Sequence, residues 1–353
     1  MIIDTHVHIW EMPPIAPIGP TAPSWTAEPA ESGNAELLID DMDANGVDKT
    51  VLVQTSWSTW DNGYVADSAI KHPDRFAAMG LMDPMADDNA EKAVYWMEER
   101  GMAGFRFHPD YYPDVDVLLR PENAAMFAEI EKRSGILQIH NRPPNAHQLN
   151  YAAAKYPGIT WLIDHMMYPV PKMAPGWDDY RPVLALAGHE NVHIKISDVH
   201  NRSDGSFPFA DMHDAVKMAV DAFDIERCMW GTGYPGYHRV DHGWLSLADE
   251  LRLVREGFDF AMHSSTWTMW YFNTIIRQYG GEVLDASGKK CTANSEAGVK
   301  AMKVRAMLMR DYKVMDPTVS VGTNALPADD LAKGRVSMFI THAGSVAQFG
   351  PKM

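Results

Sequence analysis

The chain begins Met1-Ile2-Ile3-Asp4-Thr5-His6-Val7-His8-Ile9-Trp10, and this stretch decides how the rest is read. Met1-Ile2-Ile3 is an apolar entry, after which polar and apolar residues alternate with the period of two that marks a strand. That period turns His6 and His8 to one face, with rings roughly 6–7 Å apart along the strand. Two imidazoles on one face can grip a single divalent metal, because neutral histidine nitrogen is the commonest ligand of zinc-type ions. The plainer reading is two polar residues at a strand end. Position favours chemistry: the pair lies on the first strand of a long β/α alternation.

A Pro-rich loop over 11–33 follows, with Trp10 and Trp25 near its ends. A loop of this length suits a lid or pocket wall, or a surface excursion pinned by its tryptophans. Asn34 caps a helix through Ala44, and Asn45-Gly46 ends it. Seven more strands are predicted at 49–55, 75–82, 102–108, 135–141, 160–166, 192–197 and 227–232. Helices are predicted between them, ending near 73 and spanning 88–100, 122–133, 145–155, 180–187, 209–223 and 245–256. The 209–223 helix carries Met212, Val216, Ala219, Val220 and Phe223 as one apolar stripe that suits packing on a sheet. Eight strands alternating with helices at spacings mostly of about 25 to 35 residues predict a (β/α)8 TIM barrel, an α/β fold.

Composition sets the outer bounds. The chain has 353 residues, 46% hydrophobic and 22% charged, close to an average soluble globular protein. A net charge of -16 argues against nucleic acid or an anionic membrane surface as partner. Cys228 and Cys291 form no motif, which suits a reducing compartment. No apolar run reaches the roughly 18 residues of a membrane span. Structure is expected to begin at Ile2 with no signal peptide before it, so a cytoplasmic location is expected. A homo-oligomer is left open.

In TIM barrels the active site lies at the C-terminal ends of the strands. Polar residues at those ends are His6 and His8, Gln54, Arg106 and His108, His140, Asp164 and His165, Lys195 and Asp198, with Tyr234 just beyond the eighth strand. Five histidines at strand ends exceed chance scatter, whereas a single one would read as a satisfied core histidine.

Together the His-x-His of strand 1, the strand-5 histidine, Asp-His at strand 6 and Trp230-Gly231-Thr232 with Pro235 at strand 8 resemble the amidohydrolase superfamily. More narrowly they are similar to its amidohydrolase-related branch of lactone hydrolases and aromatic-acid decarboxylases, over about residues 1–258. The resemblance implies a divalent metal, zinc first, held by His6, His8 and His140, with His165 as general acid/base or carbonyl polariser. It implies that Arg106, just beyond the barrel core, meets a substrate carboxylate through a bidentate pair; a surface ion pair is the other reading. His108, His200, His238 and Tyr234 are candidates for the substrate pocket. The family usually ends strand 8 with Asp in Trp-Gly-Ser/Thr-Asp-Trp/Tyr-Pro, and here Gly233 occupies that position. The missing carboxylate would take a proton from the attacking water. Asp198, His200, His238 or Asp241 can stand in, a metal-bound water can act with His165 alone, or the barrel is inactive. Lys195 is read as structural.

After Phe260 the character changes. Asn273 through Tyr279-Gly280-Gly281 to Leu284-Asp285, a helix over 295–312 and Gly334-Arg335-Val336-Ser337-Met338 resemble part of a sugar-type ABC-transporter solute-binding protein. Only a fragment of such a protein is present, so residues 261–353 are expected to be an appended α/β passenger behind a barrel domain at 1–260. The expected function is metal-dependent hydrolysis of a lactone or related carboxylic ester carrying a carboxylate. Decarboxylation of an aromatic or muconate-like acid, a metal-free lactonase and a non-catalytic barrel are the alternatives.

Overall fold

A computed structural model describes residues 1–11, 18–22, 33–235, 244–254, 275–285 and 291–310. Eight parallel strands follow one another around a single sheet: β1 (Ile3–Val7), β2 (Lys49–Val53), β3 (Phe76–Leu81), β4 (Gly104–Phe107), β5 (Ile136–Ile139), β6 (Thr160–Ile163), β7 (Val192–Ile196) and β8 (Cys228–Trp230). β8 returns to β1 through a parallel bridge between Val7 and Tyr234. Gly233 N donates to His6 O at 2.7 Å, His8 N to Tyr234 O at 2.8 Å and Thr5 Oγ1 to Trp230 O at 2.6 Å. Below these, Asp4 accepts from Thr232 N at 3.1 Å and Thr232 Oγ1 at 2.7 Å. The fold is a (β/α)8 TIM barrel.

Strands of such a barrel are covered by helices outside and by side chains inside, so they are buried on both faces. All four residues of β4 are buried, as are the last three of both β5 and β6. The helices are α1 (Ala35–Asn45), α2 (Gly63–Lys71), α3 (Asn89–Val94, continued by a π turn at Tyr95–Glu99), α4 (Ala124–Lys132), α5 (Ala146–Lys155), α6 (Arg181–Ala185), α7 (His213–Phe223) and α8 (Leu247–Arg252). Asn34 caps α1 as predicted, its side chain accepting from Leu37 N. Of the apolar stripe predicted over 209–223, Val216, Ala219 and Phe223 are buried on α7, while Met212 is buried in the 3-10 turn before it.

Gly46 closes α1 in the left-handed region at φ 71°, donating to Met42 O, and a Cβ there would meet nothing within 4 Å. Gly46→Ala therefore isolates a backbone cost. It is expected to lower stability by about 1 kcal/mol in urea unfolding, the usual penalty for a side chain in this conformation.

Strands end earlier than the sequence predicts, since the ladder stops at the barrel rim. β1 ends at Val7, β5 at Ile139, β6 at Ile163 and β7 at Ile196, so His8, His140, Asp164, His165 and Asp198 stand just past the pairing. Register shifts between Asp4 and Val7, and the rings of His6 and His8 come to 4.9 Å, closer than an ideal strand would hold them. After β6 the chain turns through four successive left-handed residues, His165 to Tyr168, with φ from 47° to 60°. None is glycine, and strain of this kind persists only where the surroundings fix it.

The chain divides into two compact units, Met1–Phe258 and Asp259–Met353. The second holds a helix at Glu296–Arg310 and a bridge between Leu284 and Cys291. Most of the 11–33 loop, the region after 310, and His238 and Asp241 lie outside the described residues. Among the described residues no helix is long and apolar enough to cross a membrane.

Candidate active site

At the C-terminal rim the structure gathers His6 and His8 from β1, Arg106 and His108 from β4, His140 after β5 and Asp164-His165 after β6. His6 lies 4.6 Å from His165 and 4.9 Å from His8 between ring centroids, His108 4.7 Å from His140, and His140 6.3 Å from His165. His6, Asp164 and His165 each bring one ligand atom within 4.8 Å of the others.

Asp164 is the hub. Its Oδ2 accepts from Arg106 Nε at 2.6 Å, and its Oδ1 lies 3.4 Å from His6 Nδ1 and 3.9 Å from Lys195 Nζ. Burial alone would push the Asp164 carboxyl up, but Arg106 and the neighbouring His6 and Lys195 hold it well below the usual carboxylate range. Arg106 is thus a buried partner of Asp164, 5% exposed, rather than a group beyond the barrel core. Lys195 is structural, as its sequence position suggested: Nζ donates to Thr5 O and to Gln138 Oε1, each at 2.7 Å. Even so, burial lowers its ammonium to about 8.

Four of the imidazoles, those of His6, His8, His108 and His165, are neutral. Burial is the first cause in each: it takes His6 and His108 well below the ordinary value, His8 to about 4 and His165 to about 3, with Arg106 adding to the effect at His8, His108 and His165. Their tautomers follow from their partners. His8 Nδ1 donates to Val53 O at 2.7 Å, and His140 Nδ1 meets Asp110 Oδ1 at 2.8 Å. His165 Nδ1 pairs with Ser197 Oγ at 2.8 Å, leaving Nε2 to accept from Arg106 NH2 at 3.3 Å. His6 Nε2, His108 Nε2 and Asp164 Oδ1 are buried with no hydrogen-bond partner among the described residues. Unpaired buried polar atoms are costly, and several together suit a site built for a ligand.

These shifts fix an acid limb for stability. An unfolded histidine titrates near 6.5, so below that pH the unfolded chain takes up protons that His8 and His165 refuse. Their contribution is complete above pH 6.5 and is lost as pH falls towards 4 and 3. In chelator-treated protein the free energy of urea unfolding is expected to drop by about 2 kcal/mol per such ring between pH 7.5 and pH 5.

Further out, Tyr168 lies between two guanidinium groups, Arg142 at 4.1 Å and Arg202 at 5.0 Å from its ring, and packs on His140 and His165. Asp198 sits 3.2 Å from Arg202 Nε and also accepts from Asn201. The Tyr234 hydroxyl donates to Asp41 Oδ2 on α1 at 2.7 Å. His200 is placed against Glu250 of α8, its Nδ1 3.0 Å from Oε1. At Gly233 a Cβ would meet, among the described residues, only Trp244 Cζ3, at 3.5 Å. Sequence reading named neither Tyr168, Arg142, Arg202 nor Glu250: a cation–ring stack and a helix residue returning to the rim leave no spacing signal.

A parallel barrel with paired histidines on its first strand and an Asp-His after its sixth defines an enzyme-type site at the strand C-termini. Residues 3–255 match the pattern of the family described as Amidohydrolase, and the chain belongs to that family. It is 24% identical over 264 residues to an L-fucono-1,5-lactonase of Burkholderia ambifaria, covering 70% of this chain and 87% of the relative. The fold matches a probable 2-pyrone-4,6-dicarboxylic acid hydrolase of Acinetobacter baumannii solved with citric acid, at TM-score 0.56 and 18% identity over 72% of this chain and 93% of that one. It also matches an amidohydrolase of Burkholderia multivorans solved with bound zinc, at TM-score 0.58 and 18% identity over 79% and 99% of the two chains.

Proposed function

We propose that the barrel hydrolyses a lactone or related carboxylic ester that itself carries a carboxylate. The observation that carries this is the Arg106–His165 contact, held in place by Asp164, with Arg142 and Arg202 further out on Tyr168, each beside a carboxylate, Asp110 and Asp198. Arg106 supplies a fixed positive charge where the carbonyl oxygen gains negative charge, and burial strengthens that interaction. His165, neutral and locked by Ser197, orients the guanidinium through Nε2 and lines the same pocket. Arg142 and Arg202 suit the substrate carboxylate, and their contacts with Tyr168 limit the freedom they lose on binding it. The lactonase relative supports this reading.

The histidines suit a divalent metal, zinc first. His6 and His8 are neutral, His6 Nε2 has no hydrogen-bond partner among the described residues, and the Nδ1 atoms of His8 and His140 are fixed by oxygen acceptors, as in ligating histidines. His6 would hold it with Asp164 and His165, whose ligand atoms it already meets, and the family resemblance adds His8 and His140, which the structure does not bring into that group. Such an ion lowers the pKa of a bound water and polarises a carbonyl. Arg106 and Lys195 both lie against the Asp164 carboxylate, so their positive charge weakens the grip on a dication.

The test is turnover of a lactone panel against an aromatic-acid panel, with elemental analysis of protein purified without chelator and of a His6→Ala, His8→Ala variant. Lactone opening is expected. Carbon dioxide released from the aromatic acids would replace this reading with a decarboxylase, and silence on both panels would leave a non-catalytic barrel. Metal near one per chain, lost in the variant, is expected; none in either sample would leave a metal-free lactonase. We also infer that residues 261–353 are a passenger resembling part of a solute-binding protein, so sugars are expected to give no heat in calorimetric titration.

A further inference from the structure

Hydrolysis needs a group that takes a proton from the attacking water, and the central histidine is badly placed for it. Both nitrogens of His165 are engaged, by Ser197 and by Arg106. At the rim of β8 Gly233 offers no side chain, and a Cβ there would meet, among the described residues, only the Trp244 ring. That ring packs edge-on against His200, with centroids 5.2 Å apart. The His200 side chain is 3% exposed and that of Glu250 6%, with Nδ1 and Oε1 3.0 Å apart. The contact lies outside hydrogen-bonding geometry, and among the described residues neither ring nitrogen of His200 has a hydrogen-bond partner. Buried imidazole nitrogens without partners are rare unless a ligand or water completes them. Glu250 belongs to α8, and His200 follows Asp198 by two residues in the segment after β7, at the same end of the barrel as His165. The pair therefore borders the Gly233 position through the Trp244 ring.

We propose that His200 and Glu250 are the proton-accepting pair of this site, standing where a β8 carboxylate is lacking. The proposal rests on the hydrolytic reading above. As the water oxygen bonds to the lactone carbonyl carbon, His200 takes one water proton. When the ring C–O bond breaks, the departing alkoxide takes that proton back, leaving a hydroxy acid and neutral His200. Glu250 is a positioning residue: it fixes the ring and offsets the charge of the transient imidazolium. Burial raises the Glu250 carboxyl, and His200 beside it opposes the rise.

His200→Gln and Glu250→Gln preserve side-chain size, and the full chain serves for the test. On a lactone turned over by the wild type, each is expected to lower kcat by about 100-fold or more, with KM changed less than about threefold. Thermal unfolding of both variants checks that they are folded. Gly233→Asp in the His200→Gln background is expected to restore kcat at least about tenfold, because aspartate tolerates a left-handed backbone better than most residues and a Cβ fits there. A structural defect at His200 would not be repaired from β8. Folded variants that keep wild-type kcat would overturn the pair while leaving the lactonase intact. A wild type without ester or lactone turnover would remove the hydrolytic reading and this proposal together. If His200→Gln does not fold, Glu250→Gln decides: unchanged kcat in it overturns the proposal.

Discussion

Asp164→Ala is expected to cost about 3–5 kcal/mol of stability, the usual result of removing one partner from a buried ionic group. Asp164 is fully buried and is the carboxylate that Arg106 meets at 2.6 Å, with Lys195 3.9 Å away. Without it two cations remain in the barrel interior, 5% and 0% exposed, with only backbone and amide oxygens to receive Lys195 and a neutral histidine to receive Arg106. The loss should be strongly coupled to Arg106. Arg106→Met with Asp164→Ala removes the stranded charge as well as its partner. The double variant is expected to recover on the order of 1–3 kcal/mol against the sum of the single changes. Urea unfolding of the four proteins gives the coupling directly. A single-variant loss below about 1 kcal/mol would mean that water reaches these groups and that they are not a dry ionic hub.

His165→Gln is expected to leave the protein folded and to lower kcat on an active lactone by about 100- to 1,000-fold, within the range that oxyanion-side groups supply. The ring holds Arg106 by one nitrogen and Ser197 by the other, so its loss frees the guanidinium to follow Asp164 alone. Ser197→Ala is the gentler companion. It removes only the partner of Nδ1 and should lower kcat by less, with KM little changed. An equal loss in both would place the effect in the ring's orientation rather than in its presence.

The barrel was legible because β/α alternation and strand-end chemistry are local properties. His6, His8, Arg106, His108, His140 and His165 all occupy the rim that their strand positions implied. What the sequence could not carry was pairing. Asp164 is simply the neighbour of His165 in the chain, and nothing in its spacing reveals contacts with Arg106, His6 and Lys195, residues 58, 158 and 31 positions away. Arg106 read as an outlying arginine because a guanidinium buried against one carboxylate has the same sequence signature as one on the surface. Glu250 was invisible for a similar reason. On α8 it is an ordinary polar residue, and only the fold returns it to His200.

The seam between β8 and β1 has a consequence for how the protein is made. Each strand before it pairs with the one just synthesised, so most of the sheet can assemble in order as the chain emerges. Asp4 and Thr232 lie 228 residues apart, and their bonds cannot form until nearly the whole barrel has left the ribosome. Until then His6 and His8 sit on an unpaired strand edge, and edges of that kind are where nascent chains associate wrongly. A chain halted before residue 232 would carry every histidine of the central cluster and still lack the staple that seats the first strand.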